Sequence, residues 1–447
     1  MASEPRTIAE VARALRAREL TARAITDRCL GAIAERNPSL NAFITVCADT
    51  AREQAKQADA EMDGGRYRGP LHGVPVSLKD LLDLSGTATS AASRVRQGHM
   101  ATADATVVTR LREAGAIIIG KTNLHEFAFG TTNEDSAFGA ARHPIDPRRS
   151  PGGSSGGSAA SVLADMAYAS IGTDTGGSVR IPSAACGLVG LKPTIGEIPT
   201  DGVVPLSGTM DHVGPICRSV EDAEILYDVL RGAPPASGKR APAARGLRLG
   251  VLRGYFTALL DPDVATSFER ACARLQDAGV ELHDASVAHA DDIAPIYLHI
   301  VLSEAAAYHG KTLEDRAGDY TPNVRLRLEM GRYILAEDYA RALHGREVLM
   351  REVDDALNDR DGLLLPSLPI PASTIGEATI RIDASDEPVR TITLRLTQLF
   401  NLTGHPAISI PCGSTPEGWP VGAQVVGHRH RTTALLDTAR AVESCLR

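Results

Sequence analysis

The chain has 447 residues, a formal net charge of −8, and 43% hydrophobic, 23% charged and 4% aromatic residues, the balance of a globular protein with an aliphatic core. Lys and Arg are not clustered, which argues against a nucleic-acid surface, and no stretch reaches the roughly 18 apolar residues that a membrane span needs. Seven singly scattered cysteines with no C-x-x-C pair, and a polar N-terminus with no apolar signal core, point to a reduced cytoplasmic protein, not a disulfide framework, a zinc site or a secreted chain.

Residues 8–35 carry helical periodicity through Ile8, Val11, Leu15, Ile25, Cys29 and Ile33, with Thr7 and Thr21 as N-caps of two helices. Asn41 to Val46 reads as a strand. Ala48 to Met62 reads as a helix that Gly64-Gly65 ends. Val74 to Leu78 is a short strand, Ala105 to Ala114 a helix, and Ala116 to Ile119 an apolar strand entered through Gly115. This alternation predicts an α/β protein. Arg142 to Ser158 is rich in Pro, Gly and Ser and reads as loop, feeding a small-residue helix from near Ser155. The most apolar run, Gly156 to Gly172, reads as one buried helix. Gly232 to Gly246, with Pro234-Pro235 and Pro242, is the strongest linker candidate. Beyond it come a strand at Leu247 to Leu252, a helix at Asp263 to Ala278, largely helical chain over 300–360, and late core strands at Leu363 to Pro366 and Ala407 to Pro411.

Two motifs invite misreading. Gly115 to Thr122 matches G-x-x-x-x-G-K-[ST], but a phosphate loop needs a flexible turn, and Ala-Ile-Ile-Ile in its middle favours a buried strand. Gly152-Gly153-Ser154-Ser155-Gly156 matches G-x-S-x-G, but a nucleophile elbow needs a strand directly before it, and here a proline-containing loop precedes it.

The residues that carry chemistry are Lys79, at the end of an apolar strand, and two glycine-flanked serines, Ser154 and Ser178. None of the three segments holds a histidine. Consecutive glycines let backbone N–H groups converge, as an oxyanion hole requires, so Thr175, Gly176, Gly177 and Ser178 are candidates for that role. A serine nucleophile needs a base, and a lysine serves if burial disfavours its ammonium form.

Together these segments resemble the amidase signature family. The resemblance runs from about residue 8 to the end and is densest over 69–215. It includes Gly69 to Pro75, Gly120 to Asn123, Cys186 to Thr194, Asp211 to Pro215, Asn401 to Pro406 and Pro420 to Gly427. It implies Ser178 as nucleophile, Ser154 as a bridging serine on a cis peptide, and Lys79 as the ultimate base. It implies that Asp174 and Arg180 brace the loop, and that Ala128, Phe129 and Gly130 present backbone to the substrate. No metal or cofactor is implied. The implied fold is a single α/β/α domain over residues 1–447, with a large mixed sheet flanked by helices and 232–246 as a surface connection.

The implied activity is hydrolysis of the C–N bond of amides, extending to carbamates (urethanes) or ureas, by a monomer or homodimer acting on a small molecule. The alternative is the glutamine-hydrolysing component of an aminoacyl-tRNA amidotransferase. The resemblance implies for that component a somewhat longer chain with a tyrosine-rich stretch, and the doubled tyrosines are missing from Gly331 to Tyr339. Tyr297, Tyr308 and Tyr333 suggest a bulky, uncharged substrate.

Overall fold

A computed structural model of the chain describes residues 5–235, 243–382 and 384–447. In chain order the strands are β1 (Phe43–Val46), β2 (Pro75–Lys79), β3 (Ile117–Thr122), β4 (Ala169–Asp174), β5 (Val189–Lys192), β6 (His212–Cys217), β7 (Arg248–Leu252), β8 (Glu281–Ala285), β9 (Gly362–Pro366), β10 (Thr379–Ile382), β11 (Ser385–Pro388), β12 (Ala407–Ser414) and β13 (Pro420–Val426). Among the described residues, eleven form one sheet in the order β1-β3-β2-β4-β6-β5-β12-β13-β9-β7-β8, and β10 and β11 pair separately. The sheet is mixed: β2 runs parallel to both β3 and β4, and β4 runs antiparallel to β6. Helices flank it, so the α/β reading holds.

The central strands explain themselves by burial. Every residue of β2, β3, β4, β5, β6 and β9 is buried, as near-continuous apolar runs covered on both faces must be. Thr7 and Thr21 cap the helices Ile8–Arg16 and Ala22–Leu40, the first through a reciprocal capping box with Glu10. Asn41 ends the second in the left-handed region, and β1 starts two residues later. The region 300–360 resolves into three helices, Ile293–Arg316, Pro322–Gly331 and Ala336–Leu357.

The run Gly156 to Gly172 is not one helix. It holds the helix Gly156–Leu163, a turn with Asp165 at φ 59°, and the start of β4. An unbroken apolar run has no period to separate a buried helix from a buried strand. In the expected connection 232–246, Gly232 ends the helix Val220–Arg231 at φ 83°, and residues 236–242 lie outside the described residues. Strands from before and after this stretch share the one sheet, since β5 pairs with β12.

Candidate active site

β2 and β4 are parallel neighbours, with Leu78 opposite Ile171. Their C-terminal ends therefore lie side by side, where open α/β sheets hold their ligands. Lys79 closes β2, and Thr173 and Asp174 close β4. The Lys79 side chain is fully buried, and Nζ reaches Ser154 Oγ at 2.7 Å and Thr173 Oγ1 at 2.8 Å. Burial pushes the Lys79 ammonium down to about 7, against the opposing pull of Asp174 and Asp211.

Ser154 enters this arrangement on a cis Gly153–Ser154 peptide. Gly153 is required by close approach, because a Cβ there would stand 2.9 Å from the backbone of Thr131, Thr132 and Asn133. The Ser154 carbonyl accepts the His125 N–H at 3.0 Å, and the next amide, Ser155 N–H, donates to the Ser178 carbonyl at 3.3 Å. The two serine segments are thus joined by backbone. The elbow-like pentapeptide follows loop and the short segment before it carries no strand, while Ser154 faces a lysine. The Walker-like segment is β3, and its Lys121 is buried against Asp80 at 2.8 Å, with Ala88 O and Thr89 Oγ1 as further acceptors.

The loop from Asp174 to Ser178 is built around one buried ion pair. Arg180 donates to Asp174 through Nε at 3.0 Å and Nη2 at 2.9 Å. Asp174 also accepts the N–H groups of Gly177 and Val179 and the Asn401 amide. Burial alone would raise the Asp174 carboxyl, but the Arg180 guanidinium and these donors hold it well below the usual carboxylate range. Arg180 reaches on to Gln424 Oε1 and Asn401 Oδ1, both at 2.6 Å, and to Thr397 O at 3.0 Å. Through Arg180 the loop is thus tied to Thr397, Asn401 and Gln424.

The expected oxyanion group divides. The Gly177 N–H is taken by Asp174 at 2.8 Å, so Gly177 does not offer it to a ligand. Its φ of 131°, and a Cβ position that would overlap Thr397, make it a shape requirement instead. Among the described residues no acceptor takes the N–H of Gly176 or Ser178. The Thr175 hydroxyl donates to Asp211 Oδ1 at 2.6 Å. Burial raises the Asp211 carboxyl to about 6, although Thr175 and the N–H groups of Leu206 and Ser207 oppose this.

Ala128 lines a small cavity of about 60 Å³ together with Thr173, Thr175 and Asp211. Phe129 and Gly130 are held differently. The Phe129 N–H donates to Glu126 O, its carbonyl accepts from Arg327 at 2.6 Å, and Gly130 packs directly on the His125 ring. Of the three tyrosines, Tyr297 is buried with its hydroxyl against Gly176, whereas Tyr308 and Tyr333 are exposed. Thr173, Asp211, Asn401 and Gln424 are the neighbours that sequence reasoning gave no role. Asp211, Asn401 and Gln424 do lie in segments that carry the resemblance. Among the described residues no cluster of His, Cys, Asp and Glu is arranged to hold a metal ion, and no helix is long and apolar enough to cross a membrane.

The Amidase family model matches residues 24–436. An amidase of Pseudomonas putida is 41% identical over 426 residues, covering 92% of this chain and 90% of that protein. A glutamyl-tRNA(Gln) amidotransferase component of Koribacter versatilis is 36% identical, covering 97% of each chain. A crystal structure of an amidase superposes with a TM-score of 0.93 at 35% identity, covering 99% of this chain and 100% of that one. With a buried lysine–serine contact at the ends of β2 and β4, and these relatives along nearly its whole length, the chain belongs to the amidase signature family and is an amidase, a hydrolase of carbon–nitrogen bonds.

Proposed function

We propose that Ser178 is the nucleophile, Ser154 the proton bridge and Lys79 the base. The observation that carries this is the 2.7 Å contact between Ser154 Oγ and a fully buried Lys79 whose ammonium is pushed down to about 7. Neutral Lys79 takes the proton of Ser154 Oγ as Ser154 takes that of Ser178 Oγ. The Ser178 oxygen forms a bond to the substrate carbonyl carbon, and the carbonyl π pair moves onto oxygen, facing the Gly176 and Ser178 N–H groups. Collapse breaks the C–N bond, and the relay returns the proton to the departing nitrogen. Water then cleaves the acyl-enzyme by the same route. Amides are the primary substrates, and carbamates and ureas fall within the same acyl chemistry. Asp174 and Arg180 act as positioning residues.

The whole chain acts as one domain in this reading, supported by the sheet that strands from both halves share. A reducing, cytoplasmic setting suits its seven free cysteines. The chain works as a monomer or homodimer. A second reading, the glutamine-hydrolysing component of an amidotransferase, is favoured by the relative from Koribacter versatilis.

The test is a panel of anilides, primary amides, carbamates, ureas and glutamine, assayed on the isolated chain and on Ser178→Ala. Turnover by the isolated chain that disappears in Ser178→Ala supports the hydrolase. Near-normal turnover in that variant would overturn it. Activity on glutamine alone, appearing only with added partner proteins, would favour the second reading.

A further inference from the structure

A cavity of about 320 Å³ lies between the segment 125–135 and the helix Val389–Leu394. Both walls also bound the proposed active site. Thr131 and Thr132 press on Gly153, the residue before Ser154. On the other wall, Leu394 stands 3.0 Å from where a Gly176 Cβ would be, and just beyond that helix Thr397 donates to the Gly176 carbonyl at 2.6 Å.

The hydrogen-bonding capacity inside the cavity is unequally used. Its acids are engaged: Asp135 faces His125 Nε2 at 3.2 Å and accepts from Asn323 at 3.1 Å, and Glu134 accepts the Gly376 N–H at 2.8 Å. Glu377, also on the lining, accepts the Thr374 N–H at 3.2 Å. Arg327 is engaged with the Phe129 carbonyl. In contrast, Arg390 Nε, Thr131 Oγ1 and His125 Nδ1 are buried without a hydrogen-bond partner among the described residues. Arg390 also has no ion pair among them. Arg390 is part-buried: its Nε is sealed without a partner, and the side chain lines the cavity with no ion pair among the described residues, which leaves a cation there for an anion to meet.

The unused set is donor-rich. Arg390 offers a planar fork and a positive charge and Thr131 a hydroxyl, while His125, held neutral by burial with its Nε2–H turned to Asp135, keeps Nδ1 as an acceptor outside this donor set. That chemistry fits a carboxylate better than a cation or an apolar group. We infer that this cavity is an anion subsite in which Arg390 binds a carboxylate of the substrate, set apart from the scissile amide. The inference rests on Ser178 being the nucleophile. It gives the substrate a class, amides that bear a carboxylate, in place of the bulky uncharged group that the tyrosines suggested.

The test compares the monoamides of succinic, glutaric and adipic acids with butyramide, valeramide and hexanamide. Each pair is assayed on wild type, Arg390→Gln and Arg390→Lys. Wild type is expected to prefer the best carboxylated member by about tenfold to a hundredfold in kcat/KM, mainly through KM. The preference should fall to about parity in Arg390→Gln and return in part in Arg390→Lys. Calorimetric titration of wild type with the matching dicarboxylate should show binding that weakens at least about tenfold in Arg390→Gln. Should Arg390→Gln not fold, the wild-type series and the titration decide. Hydrolysis of the neutral amides with no preference for their carboxylated partners overturns the subsite alone, as does a preference unchanged in Arg390→Gln. Turnover of these amides that persists near the wild-type rate in Ser178→Ala overturns the nucleophile assignment instead.

Discussion

Thr173 Oγ1 stands 2.8 Å from Lys79 Nζ, on the strand next to the one that ends in the lysine. Ser154 Oγ lies on the same nitrogen at 2.7 Å, so this hydroxyl occupies a second of its hydrogen-bonding positions. Thr173→Val keeps the shape and removes the acceptor. It should lower kcat by about tenfold. It should also move the acidic limb of the pH–rate profile to lower pH, because the ammonium form loses a partner. A kcat loss with an unmoved limb would mean that Thr173 only packs.

Lys79 and Ser154 are proposed to move one proton between them, so their losses should not add. Lys79→Met and Ser154→Ala should each cut kcat by about a thousandfold or more, and the double variant should be scarcely worse than the weaker single one. Single-turnover measurements on an activated aryl amide would show this. Additive losses would separate the two residues into independent roles.

The pH dependence has a definite sign. The base must be neutral, and burial sets the Lys79 ammonium at about 7. Below that value the protonated form dominates, so kcat/KM should fall by about tenfold for each unit of acidification and level off above it. A profile that is flat from pH 5 to 8 would remove Lys79 as the base.

Asp211 supplies a linked measurement. It is one of the two carboxylates whose charge pulls the Lys79 ammonium back up. Asp211→Asn removes that pull, keeps its amide oxygen for the Leu206 and Ser207 N–H groups, and turns its NH2 to the Thr175 hydroxyl, which can accept in place of donating. The acidic limb should shift to lower pH. A shift to higher pH would contradict the electrostatic account.

The Asp174–Arg180 pair is fully buried, so halving it strands a charge. Arg180→Met should destabilise the protein by about 3–5 kcal/mol, read from chemical denaturation, and should abolish turnover because the Gly176–Ser178 loop loses its brace. Full stability in this variant would show that the pair does not support the fold.

Much of the site was legible from local pattern. Lys79 after an apolar strand, and two serines inside glycine runs, are features of neighbouring residues, and the family resemblance joined them. Thr173 was not legible, because its place beside Lys79 depends on β2 and β4 being adjacent in the sheet, a fact of topology. Asn401 and Gln424 meet Arg180 across more than two hundred residues, beyond any local pattern. The loss of the Gly177 amide to Asp174 was equally hidden, since a glycine-rich run shows that donors can converge but not which one the protein uses. The fold was readable where periodicity or caps marked an element, as at Thr7 and Thr21, and failed over Gly156 to Gly172, where a uniform apolar run conceals a helix, a turn and a strand.

Arg180 also sets an order in time. Lys79, Ser154 and Ser178 are all made in the first half of the chain, but Arg180 finds Gln424 only 244 residues later. Until that glutamine leaves the ribosome, the loop carrying Ser178 has a charged brace with its far end unattached. A nascent chain that already holds every proposed reacting group is therefore not yet an enzyme, and an N-terminal fragment cut after the catalytic segments would not be a smaller one.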